Sequence, residues 1–96
     1  MEPDVSVIIC VRNAGEYIEA CLRSLLDQTF GHFEVLIIED GRDARTMEVV
    51  RKLADNRIRY FRNESNLGIA GSRNRGVGLC CGKYVFFTDG DYTLSR

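Results

Sequence analysis

Three features that define other classes of protein are missing from this sequence of 96 residues. The formal net charge is only -1 although 28% of the residues are charged, which argues against a nucleic-acid partner. No apolar run approaches the roughly 20 residues that span a bilayer, so we expect no transmembrane segment in this chain. The start, Met1-Glu2-Pro3-Asp4, is acidic where a secretory signal peptide is basic. The single histidine, His32, has no partner nearby in the sequence and receives no role.

Zinc-binding spacing is also absent, although the chain has four cysteines, Cys10, Cys21, Cys80 and Cys81. Their spacing fits no zinc pattern, and two adjacent cysteines form a poor disulfide. We therefore expect buried, reduced thiols, as in a cytoplasmic protein. For the full-length protein, the inner face of the membrane stays an alternative location.

Short apolar runs alternate with segments of helical period along the chain, which we treat as one small domain over residues 1–96 or a piece of a larger protein. Strands are predicted at residues 5–11, 33–39, 57–62 and 84–88. The first, second and fourth are almost continuously apolar, which indicates buried strands. The third alternates between polar and apolar residues, as in a strand with one wet face.

Three helices are predicted between these strands. Asn13 and Glu16 match a capping box at the start of the first helix, and Asp43 is placed to cap the second, which Asn56 ends. The third helix is predicted over Gly68–Leu79. The apolar spacing of the first two helices predicts these buried positions: Ile18, Leu22, Leu25, Leu26, Met47, Val50, Leu53 and Ala54.

The order β-α-β-α-β-α-β with short connections predicts an α/β fold with right-handed crossovers. We expect a Rossmann-like, three-layer α/β/α arrangement around a mainly parallel, four-stranded sheet. In such sheets ligands bind at the carboxyl ends of the strands.

Polar residues gather at the predicted carboxyl ends of three strands. They are Arg12, Asn13, Glu39, Asp40, Asp89 and Asp91. Asp89 and Asp91 repel each other unless a cation or a hydrogen-bonded ligand offsets their charge. Oxygen ligands suit Mg²⁺ or Mn²⁺, and these cations accompany phosphates. The sequence therefore predicts one rim that holds a phosphorylated ligand. We expect the Asp40 side chain to be exposed on this rim, so that its loss would leave the fold intact.

Two common nucleotide-binding motifs are missing. The turn Cys10-Val-Arg-Asn-Ala-Gly15 lacks the first two glycines of G-x-G-x-x-G, and no P-loop string occurs. Three glycines, Gly71, Gly76 and Gly78, lie inside the third predicted helix. They indicate a close approach to the backbone, either by a ligand or by the sheet beneath, and the sequence leaves both readings open.

Five blocks of the chain resemble the family 2 glycosyltransferases in order and spacing. The blocks are Val5-Ser-Val-Ile-Ile with Asn13 before a helix, Ser24-Leu-Leu-Asp-Gln28, Phe33-Glu-Val-Leu-Ile-Ile-Glu-Asp-Gly41, Asn66-Leu-Gly-Ile-Ala-Gly-Ser-Arg-Asn-Arg-Gly76 and Gly82-Lys-Tyr-Val-Phe-Phe-Thr-Asp-Gly-Asp91. Members of this family are inverting enzymes with the GT-A fold. The resemblance implies that this chain is the N-terminal, nucleotide-sugar-binding half of such a fold.

The resemblance also implies a nucleoside-diphosphate sugar as ligand, with a UDP-sugar the usual choice. Asp40 matches the carboxylate that hydrogen-bonds the base, and Arg73 matches the arginine that contacts the nucleotide. Cys10, Arg12 and Asn13 match the wall around the base and ribose.

Asp89 and Asp91 match the family's D-x-D pair. The resemblance makes Asp91 the direct metal ligand and places Asp89 nearer the ribose and sugar, beside the same cation. Mg²⁺ or Mn²⁺ would bridge the diphosphate and assist the departing nucleoside diphosphate as a Lewis acid.

The chain departs from the family pattern in its wall residues and in its length. Family members carry a proline and an aromatic residue where this chain has Cys10 and Arg12, so the Arg12 guanidinium is expected to stack on the base instead. Their acceptor-binding half, with an Asp or Glu as general base, follows the D-x-D pair and is absent here. We therefore expect no catalytic residue and no transfer by this chain alone, an unknown acceptor, and self-association through uncovered apolar surface.

Two other functions stay open on the sequence. The chain could be a non-catalytic nucleotide-binding or protein-interaction module derived from the same fold, since Cys10 and Arg12 are atypical. RNA binding is the weaker alternative, because charges on an edge strand also discourage aggregation. It would use two aromatic residues and five arginines, Arg57, Arg59, Arg62, Arg73 and Arg75.

Overall fold

The computed structural model describes residues 3–12, 17–27, 32–41 and 44–89. Strands and helices alternate along these ranges, and the predicted order is confirmed. The elements are β1 (Val5–Val11), α1 (Ile18–Leu26), β2 (Phe33–Glu39), α2 (Ala44–Leu53), β3 (Ile58–Arg62), α3 (Gly68–Leu79) and β4 (Tyr84–Asp89).

The strands form one parallel sheet in the order β3-β2-β1-β4. The β-branched runs of β1 and β2 occupy its centre, where they are covered on both faces, and β2 is buried at every position. The register pairs Val11 with Glu39, Glu39 with Arg62, and Cys10 with Asp89. The carboxyl ends of the four strands therefore meet at one edge of the sheet.

The sheet separates two apolar layers, because successive side chains of a strand point to opposite faces. The larger layer joins β1 and β2 to α1 and α2, with Ile9, Leu22 and Ile37 at zero exposure. The smaller layer lies on the other face, where Ile8 and Leu36 pack with the end of α3. This confirms the predicted three-layer arrangement.

The buried stripe of α1 agrees with the prediction, but its start does not. Ile18, Leu22 and Leu25 are buried. The helix begins at Ile18 with Tyr17 at the N-cap position and no side-chain cap, whereas the predicted capping box lies outside the described residues.

The predicted buried face of α2 is confirmed in part. Val50 and Leu53 are half-buried and pack against the larger apolar layer, and Met47 is half-buried, while Thr46 and Val49 are the buried residues of this helix. Thr46 is polar, so an apolar pattern could not mark it as buried. The helix ends at Leu53, before the predicted stop.

Ala54 was predicted to be buried, but it is exposed and follows the last residue of α2. Its φ of 49° is a left-handed conformation, which ends the helix two residues before Asn56. The predicted cap, Asp43, lies outside the described residues.

The prediction that β4 is a buried strand was also wrong. In the described sheet β4 is an edge strand, and its aromatic side chains are exposed: Tyr84 by 65%, Phe86 by 59% and Phe87 by 44%. An apolar run alone does not show on which side of a strand a neighbour will lie.

The four cysteines are free thiols, as expected, but they are not all buried. Cys21 is fully buried, Cys10 and Cys80 are partly buried, and Cys81 is exposed. Within the described part of the chain, no helix is long and apolar enough to cross a membrane.

Glu34 ties the amino-terminal edge of the sheet to the connection between α3 and β4. Its carboxylate accepts hydrogen bonds from Ser6 Oγ at 2.6 Å, from the Cys81 amide at 2.6 Å and from the Arg59 guanidinium at 2.9 Å. The Gly82 amide donates to Ser6 Oγ at 2.8 Å. This network holds β4 in register at the end of the sheet opposite the predicted ligand rim.

Candidate functional site

The predicted convergence of strand ends is present in the structure. The Asp40 amide donates to the Val11 carbonyl at 2.8 Å, and the Asn63 amide donates to the Glu39 carbonyl at 2.8 Å. These bonds continue the sheet ladder beyond the last paired residues, so the segments after β1, β2 and β3 lie side by side.

A cavity of about 260 Å³ lies at this edge, beneath the start of α3. Its lining residues come from the ends of β1 and β2 and from the first turns of α3. They are Cys10, Val11, Arg12, Asp40, Gly68, Ile69 and Ser72. Three side chains that the sequence assigned to nucleotide binding, those of Cys10, Arg12 and Asp40, are thus brought together.

Asp40 differs from its predicted state, because a strand-end carboxylate on a ligand rim was expected to be exposed. It is buried, with 8% exposure. Oδ1 accepts hydrogen bonds from Asn63 Nδ2 at 2.8 Å and from the Leu67 amide at 2.8 Å. Oδ2 accepts one from the Gly68 amide at 2.9 Å. The side chain therefore anchors the start of α3, where backbone amides lack partners within the helix.

These contacts keep Asp40 ionised. The hydrogen bond from the Leu67 amide is the main cause that lowers the pKa of Asp40 below its usual value, while burial acts in the opposite direction. The bonds from Asn63 and Gly68 and the charge of Arg12 lower this pKa further. The carboxylate is thus a hydrogen-bond acceptor at neutral pH.

A buried polar group that was not predicted from the sequence lies behind Asp40. Asn63 Nδ2 also donates to Ser72 Oγ at 2.9 Å, and the Arg75 guanidinium donates to Asn63 Oδ1 at 2.7 Å. Asn63 and Ser72 are buried. Asn63 directly follows β3, beside the end of β2, and this strand-end position is the signal that could have identified it.

Arg73 lies outside the cavity lining in the described structure. Its side chain is exposed, and its guanidinium carbon lies 5.3 Å from the centre of the Phe87 ring. This cation–π contact holds Arg73 over β4. Two neighbouring residues of α3 therefore face different parts of the structure: Ser72 lines the cavity, whereas Arg73 lies over β4.

At one of the three glycines of α3, close packing of the helix on the sheet explains the missing side chain, and no ligand is needed. A Cβ atom on Gly76 would lie 2.7 Å from Ile8 Cγ2, so the helix approaches the sheet too closely for a side chain there. A Cβ on Gly78 would meet nothing within 4 Å. The packing alternative is supported at Gly76.

The proposed metal ligands are only partly described. The backbone of Asp89 lies beside Cys10, at the same edge as the cavity, while Asn13 and Asp91 lie outside the described residues. In the part of the chain that is described, no group of three His, Cys, Asp or Glu side chains could hold a metal. Asp89 and Asp91 are both carboxylates, and carboxylate oxygens are ligands that Mg²⁺ and Mn²⁺ accept.

A family model described as "Glycosyl transferase family 2" matches residues 6–96. The chain belongs to this family. An uncharacterized glycosyltransferase of Haemophilus influenzae is 37% identical over 91 residues, which cover 93% of the chain and 28% of that protein. The Escherichia coli glucosyltransferase WfaP, named for UDP-Glc and a GlcNAc-diphosphoundecaprenol, is 34% identical over 87 residues, covering 91% of the chain and 35% of that protein.

Solved structures of glycosyltransferases share the fold of this family 2 chain. TarS 1-349 of S. aureus in complex with UDP-GlcNAc has a TM-score of 0.81 at 32% identity, over 95% of the chain and 27% of that protein. The mannosyltransferase PcManGT of Pyrobaculum calidifontis has a TM-score of 0.87 at 23% identity, which shows the GT-A fold alone, over 100% of the chain and 30% of that protein. The chain thus spans roughly a third or less of the proteins it matches.

Proposed function

We propose that this chain is the donor-binding part of an inverting, metal-dependent glycosyltransferase. The donor is a nucleoside-diphosphate sugar, and a UDP-sugar is the one we expect. The observation that carries the proposal is the ionised Asp40 carboxylate beside Arg12 in a cavity at the carboxyl ends of parallel strands. Family membership and the UDP-sugars named for WfaP and TarS support it.

The cavity fits the base and ribose end of such a donor. Asp40 accepts a hydrogen bond from a ring N–H, as uracil offers at N3, while Arg12 is exposed and its guanidinium stacks on the base. Cys10 lines the cavity, and we assign Asn13, which follows β1 in the sequence, as a further contact with the base and ribose. Arg73 contacts the nucleotide once the side chain leaves the ring of Phe87.

Asp91 and Asp89 would hold Mg²⁺ or Mn²⁺ against the diphosphate. When bound, the cation supplies charge neutralisation for the departing nucleoside diphosphate. These two carboxylates would orient the diphosphate through the cation, and Asp40 orients the base, so the ribose would lie between two fixed points with the sugar beyond the diphosphate.

The rest of the reaction needs groups outside this chain. An acceptor hydroxyl attacks the anomeric carbon in line, a carboxylate base takes its proton, and the bond from that carbon to the diphosphate oxygen breaks. We assign this base and the acceptor site to a further segment of the full-length protein, which the greater length of the relatives supports. On this account residues 1–96 alone bind donor and transfer no sugar.

A second candidate is a nucleotide-binding module without transfer chemistry. It is favoured by Cys10 and Arg12, which line the cavity where family members carry a proline and an aromatic residue. An assay of the full-length protein distinguishes the two functions, because only the enzyme releases UDP from a UDP-sugar when acceptor is supplied.

Calorimetric titration of the chain with UDP, with Mn²⁺ and then with excess EDTA, tests the proposal. We expect weak binding with Mn²⁺ and a clear loss of affinity with EDTA, because carboxylates and phosphates repel without a shared cation. Equal affinity in EDTA would remove the metal from the site. Absence of UDP binding under both conditions would contradict the donor site itself.

A further inference from the structure

We propose that Asn63 and Arg75 set the nucleobase selectivity of the cavity by fixing Asp40 as a hydrogen-bond acceptor. The inference rests on the proposed function, because it takes Asp40 to face the base of a nucleoside diphosphate. Neither Asn63 nor Arg75 lines the cavity, so both are positioning residues that act through Asp40.

Arg75 determines which way the Asn63 amide points. The guanidinium donates from one nitrogen to Asn63 Oδ1 at 2.7 Å and to the Arg62 carbonyl at 2.8 Å. A guanidinium has no acceptor, so only the oxygen end of the amide can face it. The NH₂ end must therefore point the other way, where it donates to Asp40 Oδ1 at 2.8 Å and to Ser72 Oγ at 2.9 Å.

This orientation leaves the Asp40 carboxylate able to accept one further hydrogen bond, and the direction of that bond is fixed. A carboxylate oxygen accepts about two hydrogen bonds. Oδ1 receives two, from Asn63 and Leu67, whereas Oδ2 receives one among the described residues, from Gly68. The remaining position on Oδ2 is available to a donor in the cavity that Asp40 lines.

A carboxylate that can only accept a hydrogen bond distinguishes two bases by whether one ring nitrogen carries a hydrogen or a lone pair. Uracil presents an N–H at N3, which Oδ2 accepts, whereas cytosine presents a lone pair at the same nitrogen, which a carboxylate repels. An Asn63 amide that has lost Arg75 is free to rotate and turn its oxygen toward Asp40. The carboxylate must then move or bind a proton, and the discrimination between the two bases falls.

Calorimetric titrations of the whole chain with UDP and with CDP, both with Mn²⁺, test this inference. The wild-type chain should prefer UDP. Arg75→Met should lower UDP affinity about tenfold, the effect of one hydrogen bond, and leave CDP affinity nearly unchanged. A purely structural role would lower both affinities together. Arg51→Met, on an exposed position of α2, is the matched control and should keep both affinities.

Asn63→Asp gives an independent readout, because it keeps the size of the side chain and its bond to Arg75. The new carboxylate would face Asp40, and two like charges at this distance raise the pKa of one of them. Among the described residues, Arg12, which follows β1, is the charged group that lowers the pKa of Asp40, and Arg75 on α3 is the charged group that contacts position 63. UDP binding by Asn63→Asp should therefore disappear at a higher pH than binding by the wild type.

The outcomes separate this inference from the proposed function. An unchanged UDP-to-CDP ratio in folded Arg75→Met, or a wild-type pH profile in Asn63→Asp, would overturn the positioning role while UDP binding by the wild type stands. Where Arg75→Met does not fold, the pH profile of Asn63→Asp decides. A wild-type chain that binds neither nucleotide would overturn both proposals.

Discussion

The backbone N–H of Gly68 donates a 2.9 Å hydrogen bond to Oδ2 of Asp40, so the start of α3 is tied to the end of β2. Gly68 has a φ of 72°, a left-handed conformation that a residue with a side chain rarely adopts. The turn thus delivers two consecutive amides to one carboxylate. The same side chain that would recognise a base also holds the helix that roofs its cavity.

Asp40→Ala should destabilise the fold as well as weaken nucleotide binding. The sequence suggested an exposed side chain whose loss would leave the fold intact, but removal of the buried carboxylate leaves Asn63 Nδ2 and two amides without their acceptor. We expect the free energy of unfolding to fall by about 2–3 kcal/mol, as for hydrogen bonds to a buried charge. Urea unfolding measures it, with exposed Glu48→Ala as control. Equal stability of the two variants would show that Asp40 has no structural role.

Acidification should destabilise the chain through Glu34. Burial opposes the charge of this side chain, but the hydrogen bonds from Ser6, the Cys81 amide and Arg59 outweigh it and lower the pKa. A folded pKa below the unfolded value means that the ionised form stabilises the fold above the unfolded pKa. This contribution is lost as the pH falls from the ordinary pKa of an unfolded glutamate through the lower folded pKa.

The measurement is the free energy of unfolding between about pH 6 and pH 3 for the wild type and Glu34→Gln. The variant should be less stable near neutral pH and should show a shallower loss of stability in acid. Glu48→Gln is the matched control on an exposed surface. Parallel curves for the wild type and Glu34→Gln would count against the hydrogen-bond network at this edge of the sheet.

Two glycines of α3 should respond to alanine in opposite directions. In Gly76→Ala the new methyl group would lie 2.7 Å from Ile8 Cγ2, and Ile8 is fully buried, so we expect a loss of about 1–3 kcal/mol from overpacking. Gly78→Ala meets nothing within 4 Å and should gain about 0.5–1 kcal/mol from helix propensity. Thermal unfolding of both variants checks the pair. Similar midpoints would mean that α3 does not pack on β1 as described.

The alternation of apolar runs with helical segments was sufficient to predict a parallel sheet, and the β-branched runs of β1 and β2 do lie at its centre, although the apolar run of β4 lies at an edge. Local pattern failed where a partner comes from far along the chain. The buried state of Asp40 depends on Asn63 and Leu67, which are 23 and 27 residues away. Thr46 is buried despite its hydroxyl, so the apolar pattern of α2 could not reveal the whole of its buried face.

The location of the candidate site could be predicted from the sequence, but the hydrogen bonds within it could not. Strand-end residues such as Cys10 and Asp40 met as expected, since parallel strands share one carboxyl edge. Arg75 could not have been found this way, because its contribution passes through the orientation of the Asn63 amide. A residue that acts by orienting another side chain need not lie at a strand end, so its position in the sequence does not identify it.

The central claim is that the cavity below α3 binds the base of a nucleoside diphosphate, and NMR of the isotope-labelled chain tests it most directly. UDP with Mg²⁺ should shift the amide resonances of Cys10, Arg12, Gly68 and Ser72, which line the cavity. The resonances of His32 and Arg57, beside a separate groove at the opposite end of the sheet, should stay in place. Shifts confined to that groove, or no shifts at saturating UDP, would contradict the account.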